Sequence, residues 1–87
     1  MTLTELRYVV TLAREKHFGR AAERCHVSQP TLSVAVKKLE EELGIPLFER
    51  SKSNIRVTET GQRIIEQAQR VLDQVGQIRD MAQDGKN

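Results

Sequence analysis

The stretch SQPTLSVAVKKLEEEL, residues 28–43, decides the fold, because it has the pattern of one amphipathic helix with a marked start. Ser28 is a preferred N-cap residue, and Pro30 suits the first turn of a helix, where a missing N–H costs little. Apolar side chains recur at the helical period of 3.6 residues and form one stripe, consisting of Leu32, Val36, Leu39 and Leu43. We predict a helix that begins after Ser28 and buries this stripe.

The opposite side of the predicted helix is small and polar at its start and basic behind it. This side carries Gln29, Pro30, Thr31, Ser33, Val34, Lys37, Lys38 and Glu41. A DNA major groove accepts a helix with such a surface. Taken alone, however, the pattern is at least as typical of a surface helix in any small bundle, so the flanking sequence has to decide.

Length and charge set the limits for the whole chain. Its 87 residues suffice for one small domain with a modest core. The net charge is only +2, but residues 1–58 hold ten basic and seven acidic side chains, whereas residues 59–87 hold four and five. The basic excess therefore surrounds the predicted helix, which is compatible with contact to phosphates.

Cysteine usage and the first residues indicate a cellular compartment. Cys25 is the only cysteine, which excludes an intramolecular disulfide, and we expect it to be a small buried apolar residue. The segment MTLTELRYVV, residues 1–10, contains charges and no long apolar run, so it resembles neither a signal peptide nor a membrane span. We therefore expect the reducing cytoplasm.

Two further helices are predicted before residue 28. The first covers residues 2–16 as a support, with His17 at its end. The second is short, with Phe18, Ala21, Ala22 and Cys25 on one stripe, and a turn at His26 and Val27 leads to the next helix. Two helices joined by so short a turn form a helix-turn-helix. Because the turn lacks glycine, a non-glycine residue must adopt the left-handed conformation, or the turn must be longer.

A basic hairpin is predicted after residue 43. Gly44 and Pro46 end the helix, and two β-prone runs, 47–50 and 55–58, flank a polar tip at 51–54. Basic residues cluster here, namely Arg50, Lys52 and Arg56. In this position the hairpin has the character of a wing that contacts the DNA backbone or minor groove. The alternative is a solvated basic loop.

The longest helical pattern runs from residue 58 or 59 to about 82. Gly61, Ile64, Ala68, Val71, Val75, Ile78 and Ala82 follow a heptad spacing, and Ile65, Leu72 and Met81 widen it. A helix of ~24 residues spans about 36 Å, more than so small a domain can cover. We therefore expect a symmetric dimer whose seam contains Ile64, Ala68, Val71, Leu72, Val75, Ile78 and Met81. The predicted units are 1–58 and 59–87, with residues 84–87 frayed.

No catalytic, metal or cofactor site can be assembled from the sequence. His17, His26 and the single cysteine, which adjoins only His26, are too few ligands at suitable spacing for a metal site. The sequence also has neither a glycine-rich phosphate loop nor a nucleophilic triad. We therefore predict no enzyme, metal or cofactor. Two functions remain open, a DNA-binding winged helix-turn-helix and a helical module that binds proteins through its heptad helix.

Three motifs carry a resemblance that covers nearly the whole chain. AAERCHVSQPTLS (21–33), KLEEELGIPLFER (38–50) and VTETG (57–61) resemble the N-terminal DNA-binding domain of the LysR-type transcriptional regulators. Within that family, HFGRAAERCHVSQPTLS (17–33) is most similar to the hydrogen-peroxide-responsive regulators of the OxyR type.

The resemblance implies a homodimer on a pseudo-palindromic operator, with recognition helices in major grooves about 34 Å or a multiple apart. It also implies tetramers, contact with RNA polymerase and a C-terminal effector domain in the intact bacterial protein, which would act on the nucleoid. This chain departs from many members at Val34, where they carry an arginine that can read guanine. The resulting set of expected groove contacts is Ser28, Gln29, Pro30, Thr31, Ser33 and Val34, and that of expected phosphate contacts is Lys37, Lys38, Arg50, Lys52 and Arg56.

Overall fold

The structure is a computed structural model that describes residues 1–51 and 54–86. Its elements are, in chain order, α1 (Leu3–Glu15), α2 (Phe18–Arg24), α3 (Gln29–Leu43), β1 (Phe48–Arg50), β2 (Ile55–Val57) and α4 (Glu59–Gly85). This order confirms the predicted mostly α fold, a winged helix-turn-helix followed by a long helix. Within the described residues, none of the helices is both long enough and apolar enough to cross a membrane.

Hydrogen-bonded caps at both ends place α3 where the sequence predicts it. The Ser28 hydroxyl accepts a hydrogen bond from the Thr31 N–H at 3.2 Å, which satisfies one of the orphan donors of the first turn. At the other end, Gly44 adopts the left-handed conformation (φ 75°), and its N–H donates to the Glu40 carbonyl. Both the predicted start and the predicted end of this helix are confirmed.

The connection between α1 and α2 differs from the prediction, because His17 belongs to α2 and does not end α1. Lys16 already leaves the first helix in a left-handed conformation (φ 55°). The His17 imidazole then caps the next helix, with Nδ1 accepting from the Arg20 N–H at 3.1 Å. The left-handed conformation of Lys16 ends α1, and the next helix then begins directly after its cap residue, His17.

Of the two alternatives for the turn between α2 and α3, the structure has a non-glycine residue in the left-handed region. His26 has φ 57°, and its N–H donates to the Glu23 carbonyl at 3.1 Å. The next N–H, that of Val27, donates to the Ala22 carbonyl at 3.0 Å, and the Val27 side chain packs against the core. These bonds fix the angle at which α3 leaves α2.

One apolar core joins α1, α2, α3, the start of the hairpin and the first half of α4. Its largest fully buried side chains are Val9, Leu12, Leu32, Val36, Leu39 and Leu47. Three of the four residues in the predicted α3 stripe are therefore completely buried, and the fourth, Leu43, is half-buried against the same core. The α3 stripe thus anchors the helix and leaves its other side free.

The hairpin is antiparallel and slightly shorter than predicted. Phe48 pairs with Val57, Glu49 with Arg56, and Arg50 with Ile55. Just outside the strands, the Thr58 N–H donates to the Leu47 carbonyl at 2.9 Å. On the other side of the strands, the Ser51 N–H donates to the Asn54 carbonyl at 2.9 Å.

The helix α4 is longer than predicted. It continues through Gly85, so residues 84 and 85 are helical and not frayed. Side-chain hydrogen bonds at i,i+4 spacing support its exposed surface, for example from Gln69 to Asp73 at 2.9 Å. Its early turns pack on α1, and its later turns extend the molecule to 52 Å along one axis. The division into units 1–58 and 59–87 stays a prediction.

Candidate nucleic-acid interface

The side of α3 that faces away from the core is well exposed; we call it the α3 outer face. Ser28, Gln29, Pro30, Thr31 and Val34 are exposed, as are Lys37 and Lys38 further along, and Ser33 is half-buried. The predicted groove contacts thus lie together at the start of the helix, with the two lysines behind them. Val34 has 66% of its surface exposed, although an apolar side chain gains nothing from water.

The two hydroxyl groups at the start of α3, those of Ser28 and Thr31, differ in their hydrogen bonds. The Ser28 oxygen accepts from the Thr31 N–H, and the Ser28 hydroxyl donates to Thr31 Oγ1 at 2.9 Å. Ser28 has therefore engaged both its proton and one lone pair in the cap. The Thr31 hydroxyl keeps its own proton for an outside acceptor.

A groove runs between the start of α2, the start of α3 and the hairpin. It has a volume of about 390 Å³ and is lined by Lys16, His17, Phe18, Gly19, Gln29, Arg50, Ser51, Asn54 and Ile55. The fold thereby brings together Gln29 and Arg50, which the sequence analysis assigned to separate elements. It adds Lys16 and His17, whose place in the groove the sequence does not indicate. For His17 the reason is that histidine is not a common N-cap residue and gives no signal of a helix start.

An aromatic contact holds Arg50 at the edge of this groove. Its guanidinium lies over the Phe18 ring, 4.9 Å from the ring centroid, within the range of a cation–π interaction. Arg50 itself remains exposed. The contact therefore orients a positive charge toward the groove and leaves its N–H donors accessible.

The His17 imidazole and Gln29 line the same groove. Because Nδ1 accepts the Arg20 N–H, the proton of the neutral ring is assigned to Nε2. Gly19 leaves room for this arrangement, since a Cβ there would lie 2.9 Å from His17 Cε1 and 3.7 Å from Gln29 Oε1. The groove is thus lined by an imidazole with one ring N–H and by the side chain of Gln29.

Arg50 and Arg56, the basic residues of the hairpin that the structure describes, lie on opposite faces of it. Neighbouring residues of a strand point to opposite faces, and the register pairs Arg50 with Ile55 and Arg56 with Glu49. Arg50 therefore shares a face with the buried Phe48, toward the domain, whereas Arg56 points outward beside Glu49. Arg50 and Arg56 thus both belong to the hairpin, as predicted, but they point to opposite faces of it. Lys52 lies outside the described residues.

The predicted dimer seam falls into two parts. Ala68 is buried in the chain's own core, and Ile64, Val71 and Leu72 are half-buried against it. Beyond them, Val75 is half-buried, while Ile78 and Met81 have 65% and 68% of their surface exposed. The later turns of α4 therefore present apolar side chains that this chain does not cover.

The remaining candidates for chemistry stay isolated. Cys25 is a free, half-buried thiol that packs against the core. Among the residues that the structure describes, no group of three or more histidine, cysteine, aspartate or glutamate side chains could hold a metal ion.

Comparison with known proteins agrees with this geometry. Residues 3–62 match the family model of bacterial regulatory helix-turn-helix proteins of the lysR family. The chain is 51% identical over 61 residues to the DNA-binding transcriptional dual regulator OxyR of Escherichia coli K12, which covers 70% of this chain and 20% of that protein. The chain therefore spans about a fifth of the length of the curated relatives it matches.

Two solved structures extend the comparison over the whole chain. Full-length OxyR from Pseudomonas aeruginosa superposes with a TM-score of 0.95 at 71% identity, covering 100% of this chain and 30% of that one. A complex of the BenM DNA-binding domain with catB site 1 DNA gives a TM-score of 0.92 at 37% identity, covering 97% and 93%. The matched relatives are transcription regulators and not enzymes. The chain belongs to the lysR family of bacterial regulatory helix-turn-helix proteins and comprises the DNA-binding domain of an OxyR-like transcription regulator.

Proposed function

We propose that this chain binds an operator in double-stranded DNA as a homodimer, with α3 in the major groove and the hairpin against the backbone. The observation that carries the proposal is the contrast between the two sides of α3. Leu32, Val36 and Leu39 are completely buried, whereas the first turn on the α3 outer face is exposed and continuous with a groove edged by Lys16 and Arg50.

Base reading is assigned to the first two turns of α3. The Gln29 amide can both donate and accept, as pairing with an adenine edge requires, and the exposed methyl groups of Val34 suit the methyl group of thymine. The Thr31 hydroxyl adds one free donor. Because the helix cap already uses the Ser28 hydroxyl, we assign Ser28 to the start of the helix. Pro30 and Ser33 are proposed to fill the DNA major groove around the base-reading residues.

Phosphate binding is assigned to the basic groups around that turn. Lys37 and Lys38 follow it on the exposed side of the helix, and Arg50 lies across the groove from Gln29. Phosphate contacts fix the register of a protein on the duplex and carry no sequence information by themselves. Lys52 and Arg56 remain predicted wing contacts, Arg56 from the outer face of the hairpin.

A second copy of the chain is the proposed cover for the later turns of α4. Val75 and Ile78 continue the heptad spacing of the first half, and Met81 widens the same apolar surface. A second copy related by a twofold axis would offer the same surface in return. A dimer would hold two α3 helices at a fixed distance, as a pseudo-palindromic operator requires.

For the intact protein, the proposal extends to regulation of peroxide-inducible genes, because relatives are named as hydrogen peroxide-inducible genes activators. It includes assembly beyond the dimer, contact with RNA polymerase and a location on the bacterial nucleoid. The proposed set of target genes can be tested with this chain alone. It should protect promoters of peroxide-induced genes of its own bacterium in footprinting, and equal protection of unrelated promoters would contradict this assignment.

The DNA-binding proposal is tested with selected duplexes. Rounds of selection from a random pool should yield a two-part site, and fluorescence anisotropy should then show an affinity that falls steeply with salt. If a dimer makes about six phosphate contacts, affinity should drop about a thousandfold between 50 and 200 mM salt. A chain that dimerises but selects no duplex even in dilute salt would instead be a protein-interaction module.

A further inference from the structure

The backbone around Leu47 lies between the end of α3 and the start of α4. Leu47 is completely buried and directly precedes β1. Three side chains or positions from the two flanking helices meet it, namely Glu40, Thr58 and Gly61. We call these four residues the Leu47 junction.

The recognition helix reaches this junction through one carboxylate. Glu40 Oε2 accepts the Leu47 N–H at 2.7 Å and the Phe48 N–H at 3.2 Å. Both bonds are partly buried, and hydrogen bonds to an ionised acceptor are stronger than those between neutral groups. Glu40 therefore ties α3 to the backbone that enters the hairpin.

The long helix reaches the same backbone from the other side. The Thr58 N–H donates to the Leu47 carbonyl at 2.9 Å, and the Thr58 hydroxyl donates to the Pro46 carbonyl at 2.9 Å. The same hydroxyl oxygen accepts from the Gly61 N–H at 2.9 Å and caps α4. Thr58 thus starts α4 and attaches it to the chain that α3 holds.

Gly61 permits this attachment because α4 rests directly on the Leu47 carbonyl. A Cβ at position 61 would lie 2.3 Å from that oxygen and 3.0 Å from the carbonyl carbon, distances that a real side chain does not tolerate. Any other residue at position 61 must therefore move α4 away from Leu47. One buried residue is held through its N–H by α3 and through its C=O by α4.

We propose that the Leu47 junction sets the angle between α3 and α4 and thereby selects the spacing of the two half-sites in the operator. The inference rests on the proposed dimer, in which α4 supplies the twofold axis and each α3 reads one half-site. A tilt of about 10° over an arm of about 20 Å moves the far end by about 3.5 Å, which is about one base-pair step. Small errors at the junction therefore change which spacing fits.

The test compares variants that separate the cap from the tether. Thr58→Ser keeps the cap and the bond to Pro46, whereas Thr58→Asp keeps an acceptor for the Gly61 N–H but cannot donate to the Pro46 carbonyl. Gly61→Ala pushes α4 from Leu47. Glu40→Gln weakens the hold from α3, and Glu41→Gln removes the same charge at an exposed neighbour.

Affinity is measured for three duplexes, with the selected spacing, with the spacing changed by one base pair, and with a single half-site. For Thr58→Asp and Gly61→Ala, the preference for the selected spacing should fall by about threefold to tenfold, the effect of losing about one hydrogen bond. Their affinity for a single half-site and their dimerisation in sedimentation should be unchanged. Thr58→Ser and Glu41→Gln should behave as the unmodified chain, with Glu40→Gln in between.

Equal weakening on all three duplexes would mean that the junction only supports the fold, and it would overturn the inference. An unchanged spacing preference in Thr58→Asp would overturn it as well, even if Gly61→Ala fails to fold. An unmodified chain that is monomeric and indifferent to spacing contradicts the proposed dimer itself, and with it the inference. The sedimentation and half-site measurements thus distinguish failure of the junction from failure of the dimer.

Discussion

The helices α3 and α4 carry similar apolar stripes but differ in how much of the stripe their own chain covers. In α3, Leu32, Val36 and Leu39 are completely buried. In α4, burial ends after the first half, and Ile78 and Met81 are about two-thirds exposed. A helix whose apolar side is satisfied can offer its polar side to a ligand, whereas a helix with an uncovered apolar end requires a partner. This difference supports the proposal that α3 contacts DNA and that α4 contacts a second copy.

The largest effect is expected when the buried stripe of α3 is broken. Leu39→Ala should lower the free energy of unfolding by about 2–5 kcal/mol, because it removes a completely buried side chain and leaves a cavity. Val34→Ala, on the exposed side, should change it by less than about 0.5 kcal/mol. Urea denaturation at one fixed chain concentration measures both. Similar losses for the two variants would contradict the division between the sides of α3.

A charge in the exposed end of α4 tests the other half of the comparison. Ile78→Asp should raise the dissociation constant of the dimer by about a hundredfold or more, because an unpaired carboxylate would be buried at the seam. Gln77→Asp places the same charge one residue away, outside the heptad positions, and should leave the dimer intact. Sedimentation equilibrium measures both, and an unchanged dimer in Ile78→Asp would refute the seam.

Base reading by α3 is tested at Gln29. Gln29→Ala should reduce the discrimination between the selected operator and one with a changed base pair by about 1–3 kcal/mol, because it removes both hydrogen-bonding groups of the amide. Competition binding with the two duplexes gives the value. An equal loss of affinity for both duplexes would mean that Gln29 contacts the DNA backbone and does not read a base.

The smallest expected effect separates the two faces of the hairpin. Arg50→Ala should flatten the slope of log affinity against log salt by about one unit per chain, because one oriented phosphate contact is lost. Arg56→Ala removes the same charge from the outer face beside Glu49 and should flatten it less. Anisotropy titrations at several salt concentrations give both slopes, and the opposite ranking would mean that the outer face of the hairpin meets the DNA.

Local signals in the sequence predict much of this fold. The cap at Ser28 and the stop at Gly44 follow from rules that act within a few residues, and the same rules leave two conformations for the turn at His26. The buried stripe of α3 follows from its period. These features need no knowledge of what lies across the core, which is why the sequence specifies them.

Features that depend on distant partners could not be predicted. The separation of Arg50 from Arg56 follows from the strand register. The hydrogen bonds that Glu40 accepts from Leu47 and Phe48 join residues seven and eight positions apart across a turn. The proximity of His17, Gln29 and Arg50 depends on how three elements pack. Such contacts arise from tertiary structure, and a pattern of residue types along one element does not contain them.

We propose that two copies of this chain present two α3 outer faces to one side of a duplex. Hydroxyl-radical footprinting on the selected operator tests it most directly. We expect two protected patches, symmetric about the centre of the site and separated by a multiple of about 10 base pairs. A single patch, or protection without symmetry, would contradict the account.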